Sequence, residues 1–385
     1  MNEVVIAGIG QTAVGEHWEI SLRSLAVRAA RAAMEDAGAL QPQALYVGNF
    51  LASSVSNQAN LGALIADHIN LPHIEAFTCE ASEASGAAAL HLAYLAIKSG
   101  YVDTALVVGV EKVTDVIGQA LETYIAESAD YDYEGLQGQT PYGQAALLMR
   151  AYLEKYRAEH AAFASFPILA HHNSVNNPYA MFHKEVSVEG YQKAAVVNAP
   201  LNLLDVAPYA DGAAAVLLTR KENIPDGFSQ PLVAIVGSAM ASDTLALHDR
   251  VDILEFAAAT LSTQKALQAA GMALQEIHFF ECWDATSIHA LLSLEALGLF
   301  PRGSGWHRAN VELFGLEGKL PLLTMGGNRA RGYPLAAAGV YQAVEAVLQL
   351  RGQAGKNQVR DARFGMIQAL AGPASSAVTH VLRCV

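Results

Sequence analysis

Ser85-Gly86-Ala87-Ala88-Ala89-Leu90-His91-Leu92-Ala93-Tyr94-Leu95-Ala96-Ile97-Lys98 reads as one helix, stopped at Gly100. Thr104-Ala105-Leu106-Val107-Val108-Gly109-Val110 follows at once as a nearly all-apolar strand. A helix that turns at a glycine into an apolar strand is the closing half of a strand–helix–strand unit. A strand apolar on both faces predicts a parallel sheet covered on both sides. The same alternation extends outward. Val4–Gly8 reads as a buried strand, Leu22–Ala37 as a helix stopped by Gly38, and Ala44–Gly48 as a short strand.

The pattern then recurs. Leu232–Gly237 is a strand, Leu254–Ala270 a helix stopped by Gly271, and Ile277–Cys282 a strand. Tyr333–Leu350 is a helix ended near Gly352, and Phe364–Leu370 a strand. Each first-half element stands about 230 to 260 positions before its counterpart, so two copies of one α/β unit are the simplest account. The chain's 385 residues suit two such halves. Lys221–Pro231, with two prolines and a glycine, marks the link, which gives halves of residues 1–225 and 231–385. Residues from about 115 to 195 have no second-half counterpart. They are rich in Tyr, His and Asn, as in Tyr131-Asp132-Tyr133 and His171-His172-Asn173, and an insert of this kind is commonly functional or interfacial.

Composition excludes several classes. Hydrophobic residues make up 52% and charged residues 16%, which suits a large core and a buried subunit interface. The net charge of −13 argues against nucleic acid and anionic membranes. No apolar stretch approaches the length of a membrane span. The N-terminus has no basic leader, so no signal peptide is expected. Cys79, Cys282 and Cys384 are too few and too scattered for a disulfide framework; they suit a reducing, cytoplasmic setting. No His/Cys cluster has zinc spacing, and no metal is expected.

Several short stretches, in this order and spacing, resemble a known family. They are Leu61-Gly62-Ala63-Leu64-Ile65-Ala66-Asp67, Ala93–Gly100, Tyr133-Glu134-Gly135, Asn177-Pro178-Tyr179-Ala180, Asp211-Gly212-Ala213-Ala214-Ala215 and Leu294-Glu295-Ala296-Leu297-Gly298. Nearly the whole chain resembles the thiolase superfamily, in its archaeal and sterol-carrier-protein branch. The resemblance implies a thiolase fold: two similar halves in a layered αβαβα arrangement with an inserted loop region. It also implies a coenzyme A thioester as substrate, with no permanently bound cofactor.

Thiolases of this branch attack the thioester with a cysteine at a helix N-terminus, where dipole and N–H groups favour the thiolate. A Gly-His-Pro histidine deprotonates it, and a His-Asp-Cys-Phe stretch supplies a second acid/base. This chain departs at each position. Cys79-Glu80-Ala81-Ser82-Glu83-Ala84-Ser85-Gly86, aligned through its helix, puts Glu83 where the nucleophile belongs. Cys79 lies four residues early, which suits a small buried hydrophobe. Trp283-Asp284-Ala285-Thr286 stands for His-Asp-Cys-Phe. Cys282 is one residue early and faces the other way. Gly332-Tyr333-Pro334 stands for Gly-His-Pro, with Gly326-Gly327 keeping the turn before it. The expected site is therefore Glu83, Trp283, Asp284 and Tyr333, with Gly326, Gly327 and Gly332 shaping the coenzyme A side.

Three readings remain open at this point. Some relatives resemble thiolases but cleave β-hydroxyacyl-CoA esters by a retro-aldol reaction, with tyrosine at the Gly-His-Pro position. There Tyr333 would donate to the reacting oxygen, and Glu83 or Asp284 would act as base. The second reading is an acetyl-CoA acetyltransferase that uses Cys79. The third is a non-catalytic acyl-CoA-binding scaffold, for which the bulk of Trp283 speaks. The resemblance also implies a homodimer through a first-half edge strand, for which Thr104–Val110 is the candidate. It implies a separate small partner chain that combines a zinc ribbon with an OB-fold.

Overall fold

The computed structural model describes residues 3–385. Its strands are β1 (Val4–Gln11), β2 (Ala44–Gly48), β3 (Glu75–Cys79), β4 (Thr104–Glu111), a small hairpin of β5 (Val196–Asn198) and β6 (Leu201–Asn202), β7 (Gly212–Arg220), β8 (Val233–Ser242), β9 (Phe279–Glu281), β10 (Phe364–Ala371) and β11 (Ser376–Cys384). Nine of them form one sheet in the order β3-β2-β4-β7-β1-β8-β11-β10-β9. The two halves of that sheet join only where Val5 faces Ala234 and Ile6 faces Val233.

The sheet folds back on itself around two central helices, Ser85–Ser99 and Ala338–Leu350, each of which touches strands of both halves. Leu22–Asp36 covers the outer face of the first half, and Ala257–Ala270 that of the second. The layers therefore run helix, sheet, helix, sheet, helix, as expected. Local chemistry sets the helix ends. The Ser21 hydroxyl accepts from Ser24 N–H at 3.2 Å at the start of Leu22–Asp36. Gly100 and Gly271 close their helices in the left-handed conformation.

The structure departs from three expectations. The sheet is mixed rather than parallel: only β2–β3, β2–β4 and β9–β10 run parallel. Among the strands the pattern did not show, β7 and β11 pair antiparallel with both neighbours, whereas β3 pairs parallel with β2. Their short Ala- and Val-rich runs carry no periodicity to separate them from turns. The candidate edge strand is not an edge either. Thr104–Glu111 lies between β2 and β7, hydrogen-bonded on both sides. The free edge of the first half is β3, where Phe77 is 48% exposed and Glu75 accepts from the hydroxyl of Tyr101, itself 68% exposed.

The second half lacks a full counterpart of β3, for Phe280 and Leu322 make a single parallel bridge there. The helix read from Tyr333 begins instead at Ala338, after a 3₁₀ turn over Leu335–Ala337. Pro334 disfavours helical backbone at Tyr333. Tyr333 N–H donates to Pro208 O at 3.0 Å, and its carbonyl accepts from Ala210 N–H at 3.1 Å. Among the described residues, no helix is long and apolar enough to cross a membrane, and no group of three or more metal-ligating side chains converges.

Candidate active site

The two central helices meet at their N-terminal ends. A Cβ on Gly86 would come 2.4 Å from Ala336 O, and one on Gly339 2.8 Å from Ala87 Cβ, so only glycine permits this approach. The contact brings the segments that precede the two helices to one place. Glu83 arrives from the first half and Tyr333 from the second.

Glu83 follows a tight turn in which Ser82 has φ +48°. Ser85 Oγ holds that turn by accepting from Ala81 N–H at 2.9 Å and donating to Ser82 O at 2.5 Å. The Glu83 carboxyl is buried, and its Oε2 accepts from Gly372 N–H at 2.7 Å. Burial outweighs that bond and raises its pKa above the ordinary carboxylate range. Glu83 is thus tuned toward holding a proton, whereas the sequence suggested a stabilised carboxylate base.

Tyr333 is buried edge-on against Trp283, with ring centroids 5.4 Å apart, and tilted on Tyr209 at 5.9 Å. Tyr209 in turn stacks on Tyr142 at 5.1 Å. Burial pushes the Tyr333 phenol well above its usual value, so it is a hydrogen-bond donor and not a resting base. The Tyr142 hydroxyl donates to Ala207 O. The Tyr209 hydroxyl is buried and finds no hydrogen-bond partner among the described residues.

Glu83, Tyr142, Tyr209, Trp283, His289 and Tyr333 line one cavity, together with Gln144, Thr286 and Gly372. Its free volume is about 20 Å³, close to the room one water needs. An acyl group is admitted only if part of this aromatic filling moves. Outside lies an open groove of about 480 Å³, lined by Tyr133, Gln139, Leu147, Arg150 and His248. Gln144 borders both spaces, and its buried Nε2 has no partner among the described residues. A separate hollow of about 1140 Å³ between Gln275 and Phe364 shares none of these residues.

The remaining expected residues sit elsewhere. Asp284 is fully buried and faces away from the cavity. Its Oδ1 accepts from Asn328 N–H at 2.6 Å, and its Oδ2 lies 3.4 Å from Arg329 Nε. It caps the turn Gly327–Arg331 and balances a buried guanidinium, which leaves it no free oxygen for substrate. Gly326, Gly327 and Gly332 shape that same turn, with φ of +105°, +55° and +106°. A Cβ on Gly327 would meet Asp284, and one on Gly332 would meet Val14. None of the three borders the cavity, so they position Tyr333 without touching a ligand there.

No cysteine lines the cavity. Cys79 ends β3 beside Gly48, and burial pushes its thiol up to about 11. Cys282 is buried in the core, its thiol well above normal. Sequence reasoning missed Tyr142, Gln144, Tyr209 and His289. Tyr142 had one signal, the Thr140-Pro141 helix start, where Thr140 accepts from Gly143 N–H at 3.1 Å. It lies in the insert flagged as functional.

Residues 4–222 match the thiolase N-terminal domain, and residues 239–384 the thiolase C-terminal domain-like family. The chain belongs to the thiolase family. It is 37% identical over 383 residues to an acetyl-CoA acetyltransferase of Methanothermobacter thermautotrophicus, covering 99% of each chain. It is 32% identical over 393 residues to an acetyl-CoA acetyltransferase of Methanocaldococcus jannaschii, again covering 99% of each. Among solved structures it superimposes on the Ltp2-ChsH2(DUF35) aldolase with a TM-score of 0.86, covering 99% of this chain and 98% of that one. Identity there is 23%, so that likeness speaks for the fold alone.

Proposed function

We propose that this thiolase-family chain acts on a coenzyme A thioester without a covalent acyl-enzyme, by carbon–carbon cleavage or formation of the retro-aldol type. One observation carries the reading: the cavity where the two central helices meet holds a carboxyl and a phenol but no thiol. In the cleavage direction a β-hydroxyl loses its proton and the Cα–Cβ bond breaks. The bonding pair passes to the thioester as an enolate. The Tyr333 hydroxyl hydrogen-bonds the enolate oxygen, and Glu83 delivers a proton to Cα. The outer groove beyond Gln144 receives the rest of the thioester.

The acetyltransferase names of the relatives speak for transfer chemistry instead. That reading needs Cys79 as a thiolate in the cavity, and Cys79 is an un-ionised thiol at the end of β3. The scaffold reading has a specific observation in its favour, the one-water size of the cavity. We propose a homodimer formed along β3, the free edge, in place of Thr104–Val110. A separate partner chain is also proposed: the name of the solved aldolase joins two components, Ltp2 and ChsH2(DUF35). A cytoplasmic location fits the three scattered free cysteines.

The test is to incubate the protein, alone and with chains that co-purify with it, with a β-hydroxyacyl-CoA and with acetoacetyl-CoA. The reading expects a shorter acyl-CoA plus a carbonyl product from the first, and no mass adduct from either. An acyl adduct mapped to Cys79 would restore the transferase. Complete inertness toward the β-hydroxyacyl ester under both conditions would favour the scaffold.

A further inference from the structure

His289 belongs to no motif of the chain's resemblance, yet it borders the same cavity as Glu83 and Tyr333. It sits in the first turn of the helix Ser287–Ala296, whose N-cap is Thr286. The Thr286 hydroxyl accepts from His289 N–H at 3.4 Å and also meets the imidazole Nδ1 at 2.7 Å. The Phe256 ring lies against the imidazole, with centroids 5.6 Å apart. These contacts fix the ring. Its other nitrogen, Nε2, is buried and has no hydrogen-bond partner among the described residues. An orphaned polar atom of this kind is destabilising and calls for a reason. Packing alone does not supply one, since a leucine would fill the space without the penalty.

We infer that His289 is the base that takes the β-hydroxyl proton, its Nε2 left open for substrate and its Nδ1 anchored on Thr286. This rests on the retro-aldol reading and completes it, because Asp284 is fully engaged and Tyr333 is a donor. Burial together with the positive charges of Arg250 and Arg329 lowers the imidazole to about 4, so it rests neutral. Glu83 is displaced in the opposite sense. Two titratable groups pushed apart around one cavity divide into base and acid. The steps balance without a co-reactant. His289 takes the hydroxyl proton as the Cα–Cβ bond breaks, and Glu83 protonates Cα of the enolate. The imidazolium proton then returns to the Glu83 carboxylate. The assignment requires the tautomer in which Nδ1–H donates to Thr286 Oγ1. It also requires the aromatic filling to part when substrate enters.

The experiment measures steady-state cleavage of a β-hydroxyacyl-CoA by the whole protein with its co-purifying chains. His289→Asn keeps a polar group where Nδ1 meets Thr286 and removes Nε2. His289→Gln places an amide near the Nε2 position that cannot take a proton. Both are expected to lower kcat by about 10²- to 10⁴-fold with KM little changed, and added imidazole should restore part of the His289→Asn rate. Melting curves matching the wild type would show that both variants fold. Unchanged kcat in either folded variant overturns the assignment while leaving the retro-aldol reading intact. An inactive wild type overturns both together.

Discussion

The two halves of the molecule repeat one plan but differ under their central helices. In the first half, the turn before Ser85–Ser99 is short and held by one serine, Ser85, which bonds Ala81 and Ser82. In the second half, the turn before Ala338–Leu350 is a longer glycine-rich loop stitched by buried charges. Arg329 lies beside Asp284, and Arg331 donates to Glu345 at 2.7 Å. The edges differ too, with a full β3 in one half and a single Phe280–Leu322 bridge in the other. The repeated parts build a frame, and the unrepeated parts build the site. The first half contributes the carboxyl, and the second half contributes the phenol, the indole and the imidazole. The insert closes the cavity over them with Tyr142 and Gln144.

The largest expected effect breaks the second half's turn. Arg331→Met leaves the buried Glu345 carboxyl without its partner and should cost about 3–5 kcal/mol of unfolding free energy in urea titrations. Replacing both partners with apolar residues should recover most of that loss. The matching change in the first half, Ser85→Ala, should cost only about 1 kcal/mol. Equal losses would erase the contrast between the halves.

The next concerns what each half gives to chemistry. Tyr333→Phe keeps the ring that packs on Trp283 and Tyr209 and removes only the hydroxyl. Cleavage of a β-hydroxyacyl-CoA should fall by about 10²–10³ in kcat, roughly 2.7–4 kcal/mol, with an unchanged melting temperature. Equal turnover by wild type and variant would take Tyr333 out of the mechanism.

The seam between the halves should be acid-labile. His91 of the first half meets Ser238 Oγ at 2.7 Å, and Ser238 meets His380 Nδ1 at 2.9 Å. His380 Nε2 donates to Ala87 O at 3.2 Å. Burial and the neighbouring His91 lower His380 to about 3 in the folded chain. The unfolded imidazole titrates near 6.5, so above that pH both states are neutral and stability is at its full value. As pH falls below 6.5 the unfolded chain binds the extra proton. Stability should then drop by about 1.4 kcal/mol per pH unit from this residue, continuing down to the folded value. Equilibrium unfolding between pH 7 and 4 should show a shallower slope in His380→Gln than in wild type. Parallel slopes would show that the seam does not titrate.

The smallest effect is expected at the position where a thiolase would be most sensitive. Cys79→Ser should leave turnover unchanged, because the thiol is un-ionised at the end of β3 and borders no part of the cavity. Loss of activity in that variant would return the chemistry to the first half alone.

The sequence by itself determined the frame. The alternation of apolar strands with glycine-stopped helices, repeated after some 230 residues, made two α/β halves the only economical reading. Short-range signals sufficed there, since periodicity and glycine stops act within a few residues. The resemblance to the thiolase motifs placed Glu83, Trp283 and Tyr333 where the family has its cysteine and histidines, and all three line one cavity. It failed where a side chain's direction depends on a distant partner. Asp284 reads as a motif residue and turns to the Gly327–Arg331 turn, because Arg329 draws it there. Thr104–Glu111 reads as an edge and becomes interior, because β7 arrives from more than 100 residues later. His289 reads as one helix residue among many. Only long-range packing, with its helix set against Pro141–Tyr156 of the insert, brings it and Glu83 to the same cavity.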